Sequence, residues 1–281
     1  MKKRVITSAA ILLAMLLLVI FSNFIVYPVA VSVVAVIAVF EMLRALGAHK
    51  ELLLSAPAYL LTPAFPIAAF FVKSENFMKL LLALAACFFV YIFWLMAVCV
   101  FSKGRIAFSK VGEIFAAVTY VSVSFTSLTL VRYIDREYGI FFVFLAFMLP
   151  WTCDVSAYVV GSLFGKHKLI PEVSPKKTVE GAIGGILFSA LFCFVYGLAI
   201  DLLLESVRVN YLVLILLGVI LSVVAQLGDL IASVIKREHG IKDYGRLFPG
   251  HGGVMDRFDS VLAISTIMLI VCIIFPPFTS I

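Results

Sequence analysis

Charge is what this chain has least of. Only 14% of its 281 residues are Asp, Glu, Lys or Arg, where a soluble domain carries roughly a quarter, and 64% are apolar. So few charges exclude a separate soluble catalytic domain and leave the membrane, its surface and short loops as the places where chemistry can happen. Paired cysteine is lacking too. Cys87, Cys99, Cys153, Cys193 and Cys272 are odd in number, lie inside apolar segments and form no close pair, so they read as small buried hydrophobes. There is no internal repeat or inverted pair of halves, which weakens a transporter reading. Nor does a Ser-His-Asp or Cys-His arrangement stand out.

What is present is apolar length. At about 20 residues per crossing, runs near 5–22, 24–43, 52–72, 77–101, 111–131, 139–164, 179–200, 211–235 and 257–279 predict nine helices and an all-α, polytopic membrane protein. The opening Met1-Lys2-Lys3-Arg4 and the apolar residues after it resemble a signal peptide, but the run is long and lacks a small-residue cleavage site, so a retained first helix is expected. Pro57, Pro63 and Pro66 suggest that the third run is kinked or partly re-entrant.

With the N-terminus cytoplasmic, 17 of the 22 basic residues fall on the inside and five (Lys73, Lys79, Arg132, Arg136 and Arg208) outside, so the positive-inside rule predicts N-in, C-out. The net charge of +6 then needs no nucleic acid partner; anionic headgroups and this bias account for it. Residues 1–135 hold hardly any buried charge apart from Glu113 and read as scaffold. Residues 136–281 read as the catalytic region, with basic cytoplasmic loops at 165–178 and 236–256.

Acids inside apolar helices are costly, roughly +2.5–3.5 kcal/mol for an aspartate at the helix centre. Asp154 lies ten residues before Phe164, and Asp229 seven before Lys236. Asp256 and Asp259 open the last run with i, i+3 spacing, which puts both carboxylates on one helix face. A lone acid can serve helix packing or pair with a lysine. Three converging carboxylates repel one another unless a cation sits between them, and hard divalent cations such as Mg2+ choose oxygen ligands and substrate phosphates.

The loop 165–178 carries Lys166, Lys168, Lys176 and Lys177, with Ser174 and Pro175 suited to open a helix, an arrangement that favours phosphate. Lysines that only obey the positive-inside rule are the plainer explanation. Gly161-xxx-Gly165-Lys166 falls short of a P-loop, having one residue too few and no Ser or Thr after the lysine. The second loop joins Asp229 to Asp256 and contains Lys242, Arg246, Gly250, His251, Gly252 and Gly253, glycines that permit close backbone approach to a ligand.

Ser233, Lys236, Arg237, Lys242, Asp243, Gly245, Phe248, Pro249, His251, Gly252, Gly253, Val254, Asp256, Arg257, Phe258 and Asp259 stand together in a 27-residue pattern. In this pattern, and in the stretch from Trp151 to Gly185, the chain resembles the phosphatidate cytidylyltransferase (CDP-diacylglycerol synthase) family. Two positions depart: Ser162 stands where the family often has arginine, and Val179 where tryptophan is common. These bear on the substrate pocket rather than the reaction class. The resemblance implies a dimeric enzyme of the cell membrane that joins CTP to phosphatidic acid with magnesium, releasing pyrophosphate.

On this reading Asp229, Asp256 and Asp259 are candidate metal ligands, with room for a second cation. Lys236 and Arg237 act on the transferring phosphates. Lys176, Lys177, Lys242, Asp154, His251, Gly252 and Gly253 are candidate substrate contacts. A phosphomonoester with a second pKa near 6 is already largely dianionic at neutral pH and needs no general base. The competing readings are a cation-coupled transporter of an anionic metabolite and a related CTP-dependent lipid enzyme.

Overall fold

Each apolar run expected from residue 24 onward forms one helix. The computed structural model describes residues 17–72 and 74–280. It contains α1 (Val26–Ala45), α2 (Leu52–Phe71), α3 (Phe77–Phe101), α4 (Phe108–Tyr133), α5 (Gly139–Phe164), α6 (Val179–Leu203), α7 (Tyr211–Glu238) and α8 (Met255–Ile274). All eight are long and apolar enough to cross a bilayer, and the protein is a multi-pass membrane protein. Most of the run expected near 5–22 lies outside the described residues. The last helix stops at Ile274 rather than near 279 because Pro276 and Pro277 follow, and Phe278–Ser280 leaves as a strand.

The chain divides into two compact units. The first holds α1–α4 together with residues 239–258. Its centre is α4, 72% buried over its most apolar stretch, whereas α3 is only 17% buried there and presents an outward apolar face that includes Cys87. Some hydroxyl side chains on α4 bond locally or between helices: Thr126 Oγ1 donates to the Ser122 carbonyl (2.7 Å), and Thr62 of α2 bonds Ser122 Oγ at 2.8 Å. The prolines do not make α2 re-entrant; it runs as one continuous helix. Pro57 has no N–H to offer the Leu53 carbonyl one turn back, and the Trp94 indole of α3 donates to that carbonyl instead, at 2.8 Å.

The expectation that residues 1–135 are nearly free of buried charge is corrected. Glu41 is 3% exposed and Arg132 2%. Arg132 donates to Ser22 Oγ (2.8 Å) and to Asn23, tying the entry of α1 to α4. Glu113 is not a buried acid, its side chain being 41% exposed one turn into α4, where it pairs with Lys110 at 3.1 Å.

The second unit holds residues 135–238 and 259–281, including α5, α6, α7 and most of α8. Strand β1 (Lys168–Ile170) pairs antiparallel with β2 (Ser174–Thr178), in register Lys168 with Thr178 and Ile170 with Ser174. Strand β3 (Val207–Val209) pairs antiparallel with β4 (Phe278–Ser280), and Phe278 buries its ring against Phe142 and Tyr196. The expectation that Ser174 and Pro175 open a helix is overturned by β2. The helix starts later, at Val179, capped by the Thr178 hydroxyl, which accepts from Gly181 N at 3.1 Å. Pairing with β1 keeps 174–178 extended, and a short two-stranded hairpin tolerates a proline whose missing donor would face away from its partner.

Candidate active site

In the second unit the lysines of β2 meet the acids of the helices. Lys177 Nζ is buried and forms an ion pair with Asp229 Oδ2 on α7 at 2.5 Å. Asp259, 9% exposed on α8, is close enough to Asp229, Lys236 and Asp154 to interact with them electrostatically. Gly228 makes this approach possible: a Cβ there would meet the Ala263 side chain, and the Asp259 carbonyl at 3.0 Å. Three acids and two lysines named from the sequence are thus brought together. Lys176, on the same strand, lines an adjoining cavity of about 350 Å³ along with Asp154, Tyr158, Ser162, Lys177 and Gln226. Arg237 is exposed at the end of α7.

The glycine-lysine turn after α5 does not turn its backbone amides on a phosphate. The backbone N–H groups of Lys166 and His167 donate to the Glu180 carboxylate, at 3.1 Å and 3.3 Å, and His167 Nδ1 lies 2.6 Å from the same group. The amides a P-loop would turn on its ligand are occupied by an acid, which agrees with the rejection of that motif.

In the first unit the second loop folds on itself. Phe248 N donates to the Gly252 carbonyl and His251 N to the Phe248 carbonyl, both at 2.9 Å, a tight turn that Gly250 and Gly252 enter with φ of 80° and 85°. Asp256, 8% exposed, uses Oδ2 to accept from Tyr244 N (2.8 Å) and Gly253 N (2.9 Å), so this carboxylate closes the loop's base. Lys242, Arg246, His251 and Arg257 line a cavity of about 490 Å³ around the loop, together with Gly252. Gly253 is buried at the base rather than facing that cavity. His239 lies 3.9 Å from Glu113.

Sequence reasoning missed Glu41 and Arg44. Their i, i+3 spacing at the end of an apolar run reads as an exposed helix-end ion pair. Instead they part: Glu41 Oε2 accepts from Met255 N at 2.9 Å, and Arg44 donates to the Tyr244 carbonyl. The available signal was an acid still inside the apolar stretch.

Among the described residues no three His, Cys, Asp or Glu side chains are gathered tightly enough to hold a metal as they stand. The Asp229 and Asp259 carboxylates nevertheless form a hard oxygen donor set whose like charges are offset here by Lys177 and Lys236, and such a set suits Mg2+ with substrate phosphates completing its shell.

Residues 2–275 match the cytidylyltransferase family. The chain belongs to that family. It is 35% identical over 267 residues to the phosphatidate cytidylyltransferase of Bacillus subtilis, covering 93% of this chain and 94% of that protein. It is 45% identical over 177 residues to the protein of the same name from Staphylococcus aureus strain COL, and 42% over 174 residues to one from Staphylococcus epidermidis, each match covering 61% of this chain and 64% of the relative.

Proposed function

We infer that this cytidylyltransferase transfers the cytidylyl group of CTP to phosphatidic acid, forming CDP-diacylglycerol and pyrophosphate. The observation that carries the reading is the half-buried Lys177–Asp229 ion pair beside Asp259, next to a cavity lined by Lys176. In the reaction an oxygen of the lipid phosphomonoester attacks the α-phosphorus of CTP, the new phosphoanhydride bond forms, and the bond to the β-phosphate breaks with its electrons leaving on pyrophosphate. No proton has to move, since the nucleophile is already anionic. The chain's task is therefore positioning and charge. Within the second unit Lys176, Lys177 and Lys236 offer positive charge to the transferring phosphate, and within the first Lys242, Arg246 and His251 offer it to phosphate groups of the nucleotide. Asp229 and Asp259 would hold Mg2+, which supplies Lewis-acid stabilisation of phosphoryl oxygens when bound. A second cation and a homodimer belong to the same reading.

The deciding assay supplies radiolabelled CTP and phosphatidate to the detergent-solubilised protein, with and without Mg2+. A cytidine label that partitions into the lipid extract, and disappears with chelator, is expected. Label that stays aqueous, or a labelled metabolite carried across proteoliposomes, supports the transporter instead; a phosphorylated lipid without cytidine identifies another CTP-dependent lipid enzyme.

The same reading has the site facing the cytoplasm from the cell membrane, and the distribution of basic residues supports it. Within the first unit Arg44, His239 and the basic loop lie at one end, and within the second Lys177 and Lys236 do so, as one-sided positive charge requires. Reporter fusions after Asn76 and after Lys242 are expected to report opposite sides, the second cytoplasmic. The same side for both overturns this topology.

A further inference from the structure

Glu41 is a carboxylate buried in a membrane helix outside the cluster described above, and a buried carboxyl costs stability unless it is hydrogen-bonded. Its bonds all run to the glycine loop. Oε2 accepts from Met255 N, and both Gly245 and Gly253 press so closely on the carboxylate that a Cβ on either would collide with its oxygens. One turn further along α1, Arg44 holds the Tyr244 carbonyl. Two side chains of one helix therefore grip the loop where it enters, at 244–245, and where it leaves, at 253–255. A side chain that merely filled space would need neither the charge nor the two glycines.

We propose that Glu41 is a positioning residue for cytidylyl transfer: its carboxylate is the mould on which the loop 241–255 closes, and so fixes the backbone that presents Lys242, Arg246 and His251 to the nucleotide. The proposal rests on the functional reading above, and its test separates the two.

In the full-length protein in detergent, Glu41→Gln, Glu41→Asp, Gly253→Ala and the double variant Glu41→Asp/Gly253→Ala are compared with the wild type. Hydrogen exchange of peptides covering 244–255 is measured without substrate, and KM for CTP and for phosphatidate with it. In Glu41→Gln the charge is lost and one carboxylate oxygen becomes an NH2 group that cannot accept, so faster exchange of the loop is expected, with KM for CTP about tenfold higher, the loss of one charge-assisted bond. KM for phosphatidate should stay within about twofold, inside the scatter of unrelated surface changes. Gly253→Ala should behave alike. The double variant should regain most of that loss, because the shorter acid makes room for the added methyl, a coupling that only contacting residues show.

Unchanged loop exchange with unchanged KM for CTP in Glu41→Gln overturns the proposal. So does a loss confined to kcat that follows the fraction of folded protein, or a double variant as impaired as the two singles combined. A wild type that makes no cytidine lipid overturns the functional reading, whereas the exchange comparison still decides whether Glu41 holds the loop.

Discussion

Asp229→Asn is expected to leave a folded membrane protein that makes CDP-diacylglycerol at least ~10³-fold more slowly, since loss of a metal's charge stabilisation removes several kcal/mol from the transition state. Asparagine keeps the size and one acceptor oxygen but not the charge. It also strips the buried Lys177 ammonium of the carboxylate 2.5 Å away. Asp259→Asn should fall in the same direction, and in both variants the Mg2+ concentration giving half-maximal residual activity should rise. The rival explanation is that Asp229 and Lys177 are a structural ion pair. Removing one member of such a pair is strongly destabilising, while replacing both by uncharged residues of similar volume is often neutral or stabilising. The double variant Asp229→Asn/Lys177→Met therefore separates the two. It should fold at least as well as Asp229→Asn and remain inactive. Recovered turnover in the double variant would show that the pair serves packing alone.

The helices were legible in the sequence because, in a bilayer, every backbone polar group must be satisfied within its own segment, and apolar length then dictates helix. Charge was legible wherever its cost was conspicuous. Asp154 and Asp229 stood inside apolar runs and Asp259 at the opening of one, and the structure gathers them with Lys177 and Lys236. Charge near the end of a run was not. Glu41 is masked by Arg44 three residues on, and only the folded loop reveals that each binds a different backbone group. Glu113 erred the other way: its apolar neighbours suggested burial, yet it sits one turn from the helix start and pairs in solvent with Lys110. The misplaced helix start has a similar cause. Ser174-Pro175 is a good local signal, but the antiparallel pairing of 174–178 with 168–170 is a longer-range interaction that local capping rules do not contain.

Asp256→Ala should loosen the glycine loop, and its effect should be distinguishable from that of Asp229. In the structure Asp256 Oδ2 accepts from Tyr244 N and Gly253 N, so removing the carboxylate leaves two backbone donors at the loop's base without their acceptor. At roughly 1.5–3 kcal/mol for each hydrogen bond to a charged group, even one such loss favours opening by at least ~10-fold, and two by ~10² or more. Limited proteolysis between Lys242 and His251 should accelerate accordingly in the free enzyme. In the wild type CTP with Mg2+ should slow that cleavage, because the nucleotide binds the closed loop, and in Asp256→Ala protection should demand far higher CTP. The Mg2+ dependence discriminates. If Asp256 acts by closing the loop, saturating CTP restores much of the rate and the half-maximal Mg2+ concentration stays near the wild-type value, while in Asp229→Asn neither holds. If Asp256 is instead a metal ligand, as its carboxylate chemistry allows, Asp256→Ala shows the raised Mg2+ requirement and CTP does not rescue it. A cleavage rate and a turnover both equal to wild type would remove Asp256 from either role.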